Sequence, residues 1–267
     1  MAKVLVTGAA GGIGTAACEY FAARGHEVLA HVRTEERARA LAANRGWTPV
    51  WGDLTKAADV AAMAGQVEAA GGVDWVIHNA GILSRDRTKG PHGVGIQAEV
   101  NVIAPFTLTK ALAAQLRASE DGRVLVMTSS AANFAFKTDY DRLAEPDGSS
   151  LFGQYALSKA AANALTVAMA RLFPDIQVVA TEPGFVTTDM TAGNPSMPWL
   201  MAKLAQIVGT TPERATARSF DAWLAGDQPS GTVLQSGQPV TDKRWDRDEA
   251  QAALGRLFER AGVPLQA

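Results

Sequence analysis

The stretch KVLVTGAAGGIG, residues 3–14, passes from a short apolar run through a glycine-rich turn straight into an alanine-rich, helix-like segment near 13–24. Val4 to Val6 are continuously apolar, the pattern of a strand covered on both faces. Glycines at 8, 12 and 14 let the chain turn tightly, bring backbone against a pyrophosphate and seat the helix on the strand. The helix start presents its N–H groups to the anion. Gly11 and Ile13 complete this candidate dinucleotide turn. A glycine turn without a ligand is the plainer alternative, disfavoured because strand, turn and helix follow one another as the motif requires.

Outward from this unit the alternation repeats. Strand-like runs EVLAHV (27–32), TPVW (48–51), VDWVIHN (73–79), RVLVMTS (123–129), IQVVAT (176–181) and GTVLQ (231–235) are separated by helix-like stretches near 35–44, 56–70, 97–119 and 154–172. This rhythm predicts βαβ units. The expected fold is α/β: a Rossmann-type doubly wound parallel sheet of about seven strands with helices on both faces. With 267 residues, 47% hydrophobic and 19% charged, and no repeat or long polar linker, one domain spanning 1–267 is expected. Two segments break the rhythm: 134–153 is polar and turn-rich, and 191–212 mixes Pro and Gly with a short apolar helix. Both follow strand ends, where ligands bind in open α/β sheets, so both are expected to wall a substrate pocket.

A formal net charge of -2 and a pI near 6.1 give no electrostatic reason to expect nucleic acid or an anionic membrane. A small molecule is the expected partner. The single cysteine, Cys18, lies in an apolar helical stretch and has no internal disulfide partner, as for a buried filler in a reducing compartment. No apolar signal region opens the chain and no run reaches the ~18 apolar residues of a membrane span, so a cytoplasmic protein is expected. His26, His31, His78 and His92 lack metal-ligand spacing, and no metal is assigned. Trp199, beside Met197, Leu200 and Met201, reads as an apolar substrate wall or as plain packing of the second loop.

The second strand runs out into HVRTEER, residues 31–37. A free ribose hydroxyl would usually meet an acid about 20 residues past the glycine turn, whereas a 2′-phosphate needs a cation there. Arg33 offers a guanidinium fork, with Arg37 one helical turn further on. NADP(H) is therefore favoured, with NAD(H) as the alternative. Against this, Arg33 is also readable as a solvated residue beside the N-cap Thr34, with Glu35 and Glu36 adding opposing charge.

TGAAGGIG (7–14), DL (53–54), HNAG (78–81), the Asn of VNVIAP (100–105), TSSAA (128–132), YALSK (155–159) and EPG (182–184) appear in this order along the chain. In that series the protein resembles the short-chain dehydrogenase/reductase family over nearly its whole length. The glycine turn satisfies both TGxxxGxG and TGxxGxxG, because Gly11 and Gly12 are both present; NAG and the short chain favour the compact branch. The resemblance implies that Asp53 and Leu54 line the adenine and that Asn79, Ala80 and Gly81 line the cofactor ribose and strand. It also implies a wall near the nicotinamide from Pro183 and Gly184, followed by Val186 and Thr187. Read from the residues alone, Asp53 is a loop or N-cap residue ahead of the next helix.

Tyr155 and Lys159 stand four residues apart, on one helix face. A tyrosine titrates near ~10 unless a nearby cation favours the phenolate, and Lys159 together with an oxidised nicotinamide ring would supply that field. The resemblance implies Tyr155 as general acid/base, Lys159 as a further ligand of the nicotinamide ribose, Asn101 as anchor of a water relay to Lys159, and a serine that holds the substrate oxygen. Counting forward from Arg123 selects Ser129, and matching SSAAN to the family's Ser-Ser-x-x-Gly selects Ser130. An extra residue is easier to absorb in the EDGR turn than beside the site, so Ser130 is assigned.

The expected activity is NADP(H)-dependent interconversion of a ketone or aldehyde with its alcohol. A sugar-nucleotide epimerase with bound NAD and a non-catalytic NADP(H) sensor are the alternatives; the missing C-terminal substrate domain counts against the first and the intact Ser-Tyr-Lys set against the second. WDRDEAQAALGRLFERAG (245–262) has helical apolar spacing and resembles the last helix of retinol-dehydrogenase-like members, which points to an apolar or bulky carbonyl substrate. The resemblance suggests a homodimer or homotetramer, and that tail leaves a monomer open.

Overall fold

The computed structural model describes residues 1–84, 87–145, 150–184, 186, 209–226, 228–240 and 244–267. One eight-stranded sheet organises them in the order β3-β2-β1-β4-β5-β6-β7-β8. Its strands are β1 Lys3–Val6, β2 Glu27–Val32, β3 Thr48–Trp51, β4 Trp75–His78, β5 Arg123–Met127, β6 Gln177–Glu182, β7 Val233–Gln235 and β8 Gln238–Pro239. All neighbours are parallel except β7 and β8. The expected seven strands are present, and the eighth is an addition. Ser236 and Gly237, both at positive φ (51° and 81°), form a two-residue turn that folds the chain back as a hairpin. Pro239, which has no N–H for a further neighbour, suits this edge.

Alternate residues of each strand enter two different cores. Val4 and Val6 join Phe21, Ile77, Leu125 and Val179 on one face, while Leu5 joins Val76, Val124 and Val178 on the other. Both faces are dry, which is why the strands read as unbroken apolar runs. Helices α1 (Gly12–Ala22), α2 (Glu35–Arg45) and α6 (Pro212–Leu224) cover the first face; α3 (Ala57–Ala69), α4, α5 (Leu151–Leu172) and α7 (Asp248–Arg260) cover the second. Helix α4 begins as a turn at Ile96–Ala98, widens into a π-helix over Glu99–Ile103 and continues as Ala104–Ala118. Pro105 accounts for the widening, since it has no N–H to give to the carbonyl of Asn101 four residues earlier.

Helix α6 was not expected: it starts at Pro212, the last residue of the second expected loop, and runs on to Leu224. Its start is ordinary: the Thr211 hydroxyl accepts from Arg214 N–H and Pro212 occupies the first turn. Helix α5 starts at Leu151, three residues earlier than the periodicity predicts, because the Ser150 hydroxyl caps it by accepting from Gly153 N–H at 2.9 Å. The first expected loop is therefore divided. Its middle, Tyr140–Ala144, is a 3-10 turn with Tyr140, Leu143 and Ala144 buried against the second core, and Asp141 faces Arg256 and Arg260 of α7 at 3.7 and 3.9 Å. Residues 191–208, including Met197, Trp199, Leu200 and Met201, lie outside the described residues. The C-terminal helix expected near 245–262 is α7, whose Phe258 meets Phe106 edge-on at 5.1 Å. Removing either ring would cost about 3–5 kcal/mol. Among the described residues no helix is long and apolar enough to cross a membrane.

From β1 the chain moves outward through β2 to β3 and then returns to place β4 on the other side of β1. A crevice opens at such a reversal, beyond the carboxyl ends of the two central strands. Gly8 and Asn79 stand at its two sides.

Candidate active site

The crevice is a groove of about 450 Å³. It is lined by Gly8, Gly11, Gly12, Ile13, Gly14, Arg33, Asp53, Leu54, Asn79, Ala80 and Gly81, every one assigned to the cofactor from the sequence. Two glycines are dictated by close approach. Gly8 has φ +70°, and a Cβ on Gly14 would lie 2.1 Å from the Gly8 carbonyl oxygen. Helix α1 has no acidic residue in its first turn, so its N-terminus keeps its positive end for an anion. Backbone cradle, open helix start and cationic rim fit a dinucleotide.

At the rim, Arg33 and Arg37 border the groove. The Thr34 hydroxyl caps α2 as the plainer reading held, accepting from Arg37 N–H at 3.5 Å. Glu35, which threatened to oppose Arg33, is engaged by Arg39 at 2.5 Å. Asp53 lines the groove from the loop ahead of α3, where it accepts from the Thr55 N–H and hydroxyl at 3.0 and 2.9 Å; the N-cap of that helix is Lys56. Burial works against its charge, but these bonds, with Arg33 and Lys56 nearby, hold the carboxyl below its usual range. Asn79 spends its amide on the groove itself, donating to the carbonyls of Thr7 (2.9 Å) and Gly8 (3.3 Å).

Beyond Gly81 lie the polar groups of the candidate catalytic centre. Tyr155 and Lys159 share the inward face of α5, with the Lys159 Nζ 5.8 Å from the phenol ring centroid. Lys159 donates to the Met127 carbonyl at 3.0 Å, and burial pulls its pKa down to about 8. The phenol shifts the opposite way from the sequence expectation. Burial pushes Tyr155 above its ordinary value, and the neighbouring Ser129 hydroxyl works the other way. An ammonium bound to a carbonyl at this range does not offset that burial.

The two serines are placed differently: Ser129 is the one beside the Tyr155 phenol. Strand β5 ends at Met127, Thr128 still gives its N–H to Thr181 O at 2.8 Å, and Ser129 is the first residue to leave the sheet. Ser130 opens the 3-10 turn Ser130–Phe134 that follows. Ser129 is thus the serine that the count from Arg123 reaches, and Ser130, the one assigned from the sequence, stands one residue further into the turn.

Asn101 sits in the π-helical turn with all of its amide engaged. It accepts from Ile82 N–H (2.9 Å) and donates to Ile82 O and to Ser158 Oγ (both 3.0 Å). A Cβ on Gly81 would lie 3.1 Å from Lys159 Nζ and 3.2 Å from Asn101 Oδ1, so any larger residue would press on both groups. Pro183, Gly184 and Val186 follow β6 and are not among the groove lining; Thr187 lies outside the described residues.

A family model described as short chain dehydrogenase matches residues 2–199. This chain belongs to the short-chain dehydrogenase family. It is 31% identical over 197 residues to the short-chain dehydrogenase chyC of Penicillium rubens, covering 71% of this chain and 73% of that one. It is 30% identical over 257 residues to oxidoreductase UcpA of Salmonella typhimurium, covering 89% and 92%. A solved protein of Shigella flexneri, described as a short chain dehydrogenase complexed with NADP, superposes with a TM-score of 0.65 at 27% identity, covering 88% and 96%. The chemistry of this dehydrogenase is thus NAD(P)-dependent oxidoreduction.

Several residues of the dehydrogenase site carry no signal in the sequence. His31 lines the groove and bridges two backbone segments of its wall. Ser158 links Asn101 to the Tyr155 carbonyl, to which it donates at 2.8 Å. The Glu182 carboxylate accepts from Gly184 N–H (3.1 Å) and Ser236 N–H (3.0 Å), and Arg218 donates to Pro183 O (2.8 Å), so the EPG turn is held from two sides.

Proposed function

We propose that this dehydrogenase reduces a ketone or aldehyde at the expense of NADPH, running the alcohol oxidation in reverse, and that its substrate carries an apolar ring. The observation that carries the reading is the placement of the Ser129 hydroxyl beside the Tyr155 phenol, with the buried Lys159 Nζ 5.8 Å from the phenol ring. When bound, the nicotinamide supplies the hydride for the substrate carbon or receives it. The Ser129 hydroxyl holds the substrate oxygen, and Tyr155 gives it a proton. A phenol raised by burial is fully protonated at neutral pH, which suits the reductive direction. Lys159 holds the cofactor ribose, and Asn101 anchors the proton's route toward Lys159 across Gly81.

NADP(H) is favoured over NAD(H) because two guanidinium groups, Arg33 and Arg37, border the groove, while Glu35, next to them in the chain, is engaged by Arg39. The Shigella flexneri protein holds NADP. Asp53 and Leu54 would flank the adenine; Pro183, Gly184 and Val186 would wall the nicotinamide side. The apolar ring is argued from the other flank of Tyr155, where Leu83, Ala131 and Ala156 pack with it and Phe152 lies against them. Phe134 is 51% exposed and meets Phe152 edge-on at 5.8 Å, and Phe136 is 88% exposed. Exposed aromatics in such a place mark a surface for an apolar ligand. A single domain in a reducing cytoplasm, where the buried Cys18 needs no partner, completes the proposal.

The test is a panel of aryl and short polar carbonyl compounds with NADPH and NADH, repeated with Tyr155→Phe. Turnover of an aryl carbonyl with NADPH is expected, and the variant should lose it while still binding NADPH. Undiminished turnover by Tyr155→Phe would overturn the mechanism, and a preference for NADH would remove the role of Arg33.

A further inference from the structure

His31 is the fifth residue of β2 and 3% exposed. Its ring is fully engaged: Nδ1 accepts from Gly8 N–H at 3.2 Å, and Nε2 donates to Gly52 O at 2.9 Å. Those bonds define the neutral tautomer with the proton on Nε2. Its own carbonyl accepts from Ala9 N–H at 2.9 Å. One residue thus ties the end of β1, where the glycine turn begins, to the end of β3, where the Asp53–Leu54 loop begins.

Neither partner is free to drift. Gly8 is held at φ +70° against Ala80, and a Cβ on Gly52 would lie 2.8 Å from the Met63 side chain. A histidine that merely satisfied itself in the core could choose any partners. This one bonds to backbone atoms just past the ends of β1 and β3, the two strands that flank its own, and lines the groove between them.

We propose that His31 is a positioning residue for cofactor binding: its ring sets the spacing between the glycine turn, which takes the pyrophosphate, and the Gly52–Leu54 loop, which takes the adenosine end. The inference rests on the reading of the groove as the nicotinamide-dinucleotide site. A protonated ring would turn a second N–H against Gly8 N–H, opposing two donors and releasing the turn. Burial and Arg33 disfavour that proton, Asp53 favours it, and Arg37 borders the same groove from α2.

The test uses His31→Phe, which keeps a buried ring and loses both bonds, and His31→Gln, which can still accept from one side and donate to the other. NADPH and NADH dissociation constants are measured by fluorescence titration, with kcat at saturating cofactor. His31→Phe is expected to weaken NADPH binding about tenfold or more while kcat stays within about threefold, and His31→Gln to recover most of the affinity. Equal NADPH affinity in wild type and His31→Phe, or an affinity in His31→Gln as low as in His31→Phe, would overturn the role of His31. If His31→Phe does not fold, His31→Asn, whose shorter amide cannot reach both partners, takes its place, and an affinity equal to wild type overturns the role. A wild-type protein that binds neither nucleotide would instead sink the reading of the groove.

Discussion

Acid should weaken this fold at His78. The imidazole is buried at the end of β4, its Nε2 2.7 Å from Thr109 Oγ1, and burial lowers its pKa from 6.5 to about 3. An unfolded chain takes up a proton on this residue near 6.5, and the native chain does not until about 3. Between those values the unfolded state binds more protons, so stability is lost as the pH falls. Each unit is worth about 1.4 kcal/mol, so moving from pH 7 to pH 5 removes about 2 kcal/mol through His78 alone. That is a large share of the ~5–15 kcal/mol that holds a typical domain. Urea denaturation of wild type and His78→Gln at the two pH values isolates the effect, because His31, whose pKa is also lowered by burial, responds alike in both proteins. Wild type should lose about 2 kcal/mol more than the variant. Equal losses would refute the argument.

Ser129→Ala should lower kcat by about a hundredfold, on the scale of lost oxyanion-type donors, whereas Ser130→Ala should leave it within a few-fold; steady-state kinetics with one carbonyl substrate compares them. Gly81→Ala places a methyl against Lys159 and Asn101 and should cut kcat about tenfold or more, read from steady-state kinetics at saturating NADPH. Cys18 is buried, and desolvation raises its pKa to about 12, so a thiol reagent at pH 8 should leave the native protein unmodified and react on unfolding. Rapid native labelling would contradict that burial.

The parallel strands are legible in the sequence because both faces of the sheet are dry, and an unbroken run as short as RVLVM suits a doubly covered strand better than a helix. The hairpin strand Gln238–Pro239 is too short for any periodicity, and only Ser236–Gly237 announces it. The α6 start, Thr-Pro-Glu at 211–213, is a plain capping signal obscured by the Pro- and Gly-rich residues before it. Within the site, the groove is legible because the glycine turn is a local constraint that residue type records directly. The serine depends on where β5 leaves the sheet, which a bond between Thr128 and Thr181 decides across 53 residues. His31, Ser158 and Glu182 act on backbone atoms or on another polar side chain brought near by the fold, and residue type records none of those meetings.

The widened turn of α4 sets durability against competence at one position. Replacing Pro105 by alanine would restore the missing N–H and invite the helix to close into regular α form, which favours the folded chain. Closing it drops one residue from the turn, and an α-helix advances about 100° per residue. Asn101 would then swing away from Ile82 and Ser158, both of which it now holds. A screen that rewards melting temperature alone would therefore collect Pro105 substitutions that outlast the parent protein and catalyse less.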